Sequence, residues 1–181
     1  RPKENDISSI ANFREIAPEI REISMDNLTM LGSPIMPEAI DGVLQSKLES
    51  FQLMCDRLEV IDPHDALFLL RHAFALPKLT YFLRTSPCFG NTEILKKYDK
   101  ALRVALISIL NVGMEDPSWE QCSLPVRMGG LGIRTASEVS LPAYLSSVSA
   151  TFECITPLLP TYLRNEVNPF FTQATFQWSN L

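Results

Sequence analysis

The stretch from Asp62 to Arg84, DPHDALFLLRHAFALPKLTYFLR, decides the fold. Asp62 is a residue type whose carboxylate accepts from the free amides at a helix start. Pro63 behind it has a preset φ and lacks the N–H that a first turn leaves unpaired. Ala66, Leu67, Leu69, Leu70, Ala73, Phe74 and Leu76 then leave hardly any polar face. That pattern belongs to a helix surrounded by others rather than one lying on a surface. Pro77 has no amide proton to donate, so it predicts a kink or an end, with KLTYFLR continuing helically to Arg84.

A central helix needs neighbours, and the flanking sequence offers them. Upstream, Ile40, Leu44, Leu48, Phe51, Met54 and Leu58 recur every three or four residues, which predicts a helix from Pro37 to about Leu58 or Glu59. Before it, Leu28, Met30 and Gly32 alternate as in a strand, with Gly32-Ser33-Pro34 as its turn. Ile7 to Glu22 reads as a short helix broken at Pro18. Downstream, a helix is expected from Thr92 to about Leu110. Leu95, Tyr98, Leu102 and Leu106 point inward there, while Lys96, Lys97, Lys100 and Arg103 point outward. Asp116-Pro117 repeats the cap-and-proline start for a short helix through Gln121, and another helix is expected from about Ser137 to Ile155. Pro157, Pro160 and Pro169 break the tail into short helical turns or an arm. The expected fold is therefore mainly α: a bundle of five or six helices with a small β element near the N-terminus. Residues 1–36 form the strand-bearing segment, 37–156 the helical domain and 157–181 the arm.

Composition fits one such domain. The 181 residues are 46% hydrophobic and 20% charged, too apolar for a disordered chain and the length of one ordinary domain. No apolar run reaches the roughly 18 residues needed to span a bilayer. The opening RPKENDISSI lacks the apolar core of a signal peptide, so the chain reads as a piece of a longer polypeptide in the nucleus or cytoplasm. Charge is uneven. Residues 1–70 carry 6 Lys/Arg and 13 Asp/Glu, but residues 71–134 carry 9 and 5. The acidic total argues against general affinity for phosphate, and the basic middle third argues for a local anionic partner. Cys55, Cys88, Cys122 and Cys154 form no CxxC pair and read as buried free thiols rather than zinc ligands.

Enzymatic motifs are missing. His64 beside Asp65 reads as a helix-start pair, and His72 as a core or interface histidine. Gly129-Gly130-Leu131-Gly132 lacks the lysine of a phosphate-cradling P-loop and the third glycine of a dinucleotide fingerprint. What remains is a backbone that can approach another chain closely, flanked by Arg127 and Arg134, which can meet a phosphate.

Three stretches in order carry a resemblance: NLTMLGSPI at 27–35, DALFLLRHAFALPKLTYFLRTSP at 65–87, and WEQCSLPVRMGGLGIRTASEVSLPAYLSS at 119–147. Together they resemble the region after the catalytic palm in reverse transcriptases of non-LTR retrotransposons, over about two thirds of the chain. The LPVRMGGLGIR run is the most specific of the three. The resemblance implies that Met30, Leu31, Gly32 and Ser33 form a primer-grip turn and that the helices from Pro37 to Leu110 form a thumb. A thumb holds an RNA–DNA or RNA template–primer duplex through backbone and groove contacts rather than by reading bases. The phosphate-contact candidates are then Lys78, Arg84, Lys96, Lys97, Lys100 and Arg103, with the loop carrying Arg127, Gly129, Gly130 and Arg134. The family's polymerase chemistry uses Mg2+ held by aspartates, including a paired-Asp turn after Tyr or Phe. No such turn occurs here, since Tyr98-Asp99 is followed by Lys100. The chain alone is thus expected to be non-catalytic, to need no cofactor, and to work with the rest of its parent polypeptide. A helical protein–protein interaction domain is the alternative, with Phe170, Phe171, Phe176 and Trp178 of the tail either covering a core edge or docking in a partner's groove.

Overall fold

The structure is a computed structural model and describes residues 16–19, 23–164, 166 and 168–181. It is a mainly α bundle with a two-stranded antiparallel sheet near the N-terminus, as the hydrophobic periodicity predicts. The helix expected from Ile7 lies almost wholly outside the described residues.

Strands β1 (Thr29–Met30) and β2 (Ser33–Pro34) pair Thr29 with Pro34 and Met30 with Ser33. The turn is therefore Leu31-Gly32, one residue earlier than Gly32-Ser33-Pro34. Both turn residues take left-handed backbone, at φ 52° and 78°. Two such residues in succession are what a tight two-residue hairpin demands, and glycine meets the demand freely while leucine does not.

Helix α1 (Ile40–Leu58) follows a short 3-10 turn at Pro37–Ala39 and buries Ile40, Leu44, Leu48, Phe51 and Leu58 along one face. Helix α2 (Pro63–Leu69) starts as expected, with the Asp62 carboxylate accepting from the His64 amide at 2.9 Å. It then widens into a π-turn at Leu70–Phe74, where the Ala75 amide donates to the Leu70 carbonyl at 2.9 Å. The chain leaves helical geometry at Ala75 (φ −72°, ψ −114°) and restarts as α3 (Leu76–Thr85), with Pro77 in its first turn. Pro77 cannot donate to the carbonyl of Ala73, and its ring would collide with that carbonyl in a continuous helix. The break therefore falls two residues before the proline.

Helix α4 (Thr92–Leu110) ends on Asn111 in left-handed conformation at φ 51°, a residue type that tolerates this cap position. Helix α5 (Asp116–Ser123) is capped at Glu115 rather than Asp116, whose carboxylate is used elsewhere. Helix α6 (Ala136–Ile155) starts at Thr135, whose hydroxyl accepts from the Glu138 amide. The tail is more regular than expected: α7 (Pro169–Ser179) is an eleven-residue helix capped by Asn168. With α2, the π-turn and α3 counted as one broken rod, six helical rods stand among the described residues.

The core sits where α1, α3, α4 and α6 meet. Phe51 of α1 stacks on Tyr98 of α4, with ring centroids 4.4 Å apart, and Tyr98 donates its hydroxyl to the Ala75 carbonyl at 3.1 Å. That bond satisfies a buried acceptor which the helix break leaves exposed inside the core. Phe82, Leu70, Leu79, Leu83, Leu95, Leu102 and Leu106 are fully buried around this pair. Each contributes about 1.5–3 kcal/mol of transfer free energy. Helix α7 closes a second small cluster, in which Ala174 packs with Phe89, Leu141 and Tyr144. No helix among the described residues is long and apolar enough to cross a membrane.

Candidate nucleic-acid interface

The hairpin is fastened to the end of α3. Ser33 Oγ lies 2.7 Å from Thr85 Oγ1 and 2.8 Å from Ser86 Oγ, both within hydrogen-bond range. Ser86 in turn donates to the Pro34 carbonyl. Ser33 and Ser86 are buried, and the shared hydroxyls leave no buried polar side-chain atom unpaired among the described residues. This anchoring leaves the hairpin tip outside: Met30 is 63% exposed and Leu31 86% exposed. An apolar side chain held in left-handed backbone and turned to solvent has no folding advantage of its own, the kind of local cost that marks contact sites.

Arg84, exposed, belongs to the last turn of α3, directly beside the hairpin anchor. Lys78, also exposed, lies in the first turns of the same helix. Its ammonium sits 5.5 Å from the Phe74 ring centre and 3.2 Å from Met54 Sδ. Across a cleft of about 200 Å³, Lys47 of α1 lies 5.6 Å from the Phe82 ring centre. Both ammonium groups stand near an aromatic ring at the cleft, and among the described residues no acid lines it. Lys47 stands in the sequence beside Leu48, at the flank of the α1 stripe. A cation at the edge of an apolar stripe is the signal that marks it.

The remaining basic candidates do not join this surface. Lys97 and Lys100 line a different groove, of about 600 Å³, on the other flank of α1, where Asp56 and Glu59 face them. Lys96 pairs with Glu93 at 3.7 Å. Arg103 is half-buried and held: Nη1 donates to Asp116 at 2.7 Å, Nη2 donates to the Met114 carbonyl at 2.7 Å, and the guanidinium lies over Trp119. The expected outward stripe is thus two groove lysines, one paired lysine and one structural arginine.

The glycine loop does different work from that expected of it. The amides of Gly129, Gly130, Leu131, Gly132 and Ile133 donate to the carbonyls of Val126, Pro125, Cys122, Leu124 and Cys122 in that order. None is left to cradle a phosphate. Gly130 is buried, and a β-carbon on it would fall 2.0 Å from the Leu124 carbonyl oxygen, so only glycine fits. Gly129 and Gly132 take left-handed backbone. Arg127 and Arg134 are exposed at the two ends of the loop. Arg71, absent from the sequence-level candidates, lies against Gly132 from the π-turn, on a helix face too apolar for its position to stand out.

Asp99 is a structural residue. Its carboxylate accepts from the Ala136 amide at 2.6 Å and from the Ser137 amide and hydroxyl at 3.1 and 2.5 Å. Burial pushes its acid up from the ordinary value, and these three donors oppose the shift. With both oxygens occupied at the start of α6, Asp99 does not fit a magnesium ligand. Among the described residues no three His, Cys, Asp or Glu side chains gather as a metal site. His72 is exposed, its ring 4.7 Å from that of Phe68, so of the core and interface positions expected from the sequence it does not take the core one. Of the four thiols, Cys88 is buried and Cys55 and Cys122 partly so, but Cys154 is exposed. Burial pushes the Cys55 thiol up to about 12, helped by Asp56 and Glu59.

No family model, no curated protein and no solved structure matches this chain.

Proposed function

We propose that the chain is a non-catalytic, nucleic-acid-contacting region like the thumb of a retroelement reverse transcriptase, one that holds a template–primer duplex beside the rest of its parent polypeptide in the nucleus or cytoplasm. The observation that carries this is the joining of the hairpin to α3. The hairpin and α3 together present the bare apolar tip Met30–Leu31, Arg84 in the helix turn that anchors the hairpin, and the Lys78–Lys47 cleft further along the same helix. In this proposal the tip packs on sugar and base edges near a primer end while the cations meet backbone phosphates. Lys97 and Lys100 contribute less, because Asp56 and Glu59 oppose them across their groove. Arg103, Gly129 and Gly130 support the fold, and Arg127 is a peripheral contact. The test is binding of a labelled RNA–DNA template–primer at increasing salt. Two or three phosphate contacts give a log–log slope of about −2 to −3. Binding that is absent at low salt, or indifferent to salt, removes the proposal.

A second reading has its own observation. The end of α6 and the tail expose Phe152, Leu158, Tyr162, Phe176 and Trp178, an apolar surface suited to a protein partner. Deleting α7 would open the cluster under Ala174, so the test is Phe176→Ser with Trp178→Ser. This double variant keeps its melting temperature and loses any complex formed through the tail. A complex that survives it excludes this surface.

A further inference from the structure

The junction of the π-turn with the glycine loop forms a second, separate basic site. A cleft of about 240 Å³ lies between Leu70–Phe74, the start of α3 and the residues after the glycines. Arg71, His72 and Arg134 line it together with Thr80, whose hydroxyl donates to the Leu76 carbonyl at 2.9 Å, and among the described residues no Asp or Glu does. Among the described residues neither Arg71 nor Arg134 makes an ion pair, whereas Lys96 and Arg103 do. The position of Arg71 is built rather than incidental. An ordinary α-turn would set residue 71 elsewhere, and π-turns of this kind recur at functional sites. The guanidinium lies across Gly132 so closely that a β-carbon there would sit 3.0 Å from Nη2 and 3.3 Å from Nε. Gly132, at φ 67°, is therefore what lets a planar fork lie flat on the loop backbone. A half-buried arginine with no carboxylate partner among the described residues, facing a second arginine across a small cleft, is charge arranged for an anion. The fork geometry matches two oxygens of a tetrahedral phosphoryl group.

We propose that this cleft binds a phosphoryl group, with Arg71 as the bidentate donor, Arg134 as the opposing charge, and His72 as a flanking polar group. The site stands on its own geometry and does not depend on duplex binding by the hairpin face. A phosphodiester of a nucleic-acid strand and a free phosphate or monoester share this chemistry.

The test titrates the whole chain with inorganic phosphate by calorimetry at constant ionic strength, then repeats the titration with a thymidylate octamer lacking terminal phosphates. Saturable phosphate binding is expected, weakened at least 10-fold in Arg71→Gln and in Arg134→Gln and unchanged in Arg57→Gln, which removes a charge elsewhere. If Arg71→Gln does not fold, Arg71→Lys keeps charge and stem while losing the fork, and also binds more weakly at an unchanged melting temperature. An octamer that displaces phosphate assigns the site to a diester backbone. An octamer that does not displace it assigns the site to a free phosphate or monoester. Phosphate that fails to saturate, or that binds folded Arg71→Gln and Arg71→Lys as well as the parent, overturns the proposal.

Discussion

Ser33 and Ser86, 53 residues apart, stand with their hydroxyl oxygens 2.8 Å from each other in a buried position. This contact turns a four-residue hairpin, too small to be stable alone, into an extension of α3. Ser33→Ala removes the hydroxyl that Thr85 and Ser86 share and leaves Ser86 only its longer bond to the Pro34 carbonyl, and an unmade buried hydrogen bond costs about 1–3 kcal/mol. The urea midpoint should fall accordingly, and an unchanged midpoint would mean that the hairpin is not fastened there.

Asp99 joins two helices that are otherwise held by apolar packing. Asp99→Ala leaves the first amides of α6 without acceptors, and loss of such a cap costs about 0.5–2 kcal/mol. Hydrogen exchange should accelerate at Ala136 and Ser137 before it does in α1. Uniform acceleration across both helices would show that the cap has no local role.

Two glycines predict opposite outcomes. Gly130→Ala forces a β-carbon into the Leu124 carbonyl and should prevent folding or cost several kcal/mol, on the order of severe overpacking. Gly42→Ala, early in α1 with open space around it, should stabilise by about 0.5–1 kcal/mol through helix propensity. Equal melting temperatures for the two variants would refute the packing described for the loop.

The elements were legible where their causes are local. The α1 and α4 stripes and the Asp62-Pro63 start depend on residues within a turn or two, and the boundaries follow. The hairpin turn falls one residue earlier than the sequence suggests, because nothing nearby announces that Leu31 accepts left-handed backbone. The pairing that demands it is fastened through Ser33 to Thr85 and Ser86, more than fifty residues away. Arg103 reads as a free cation only until α5 returns beside it with Asp116 and Trp119. Arg71 was missed for the converse reason. A lone arginine in an apolar helix carries no signal until the π-turn and Gly132 are brought together.

Burial raises the thiol of Cys55 from its ordinary value of 9.0 to about 12, and raises Cys88 and the Tyr98 phenol as well. A group whose acid is weaker in the folded state stabilises fully below its unfolded pKa, and the contribution is lost as pH climbs toward the folded one. Melting temperature should therefore decline from pH 9 toward about 12, and less steeply in Cys55→Ala. At neutral pH a thiol reagent should modify exposed Cys154 and spare Cys88. Rapid labelling of Cys88 in the folded chain would contradict the core assignment.

Nucleic-acid binding is proposed for one surface, the hairpin tip with the cations of α3. Its most direct test compares RNA–DNA template–primer binding by the parent chain and by Lys78→Glu with Arg84→Glu, both shown folded by their melting curves. The expected result is salt-sensitive binding by the parent and a loss of at least 10-fold in the double variant, while Lys96→Glu changes affinity little. Equal affinity of parent and double variant would contradict the assignment of this surface to nucleic acid.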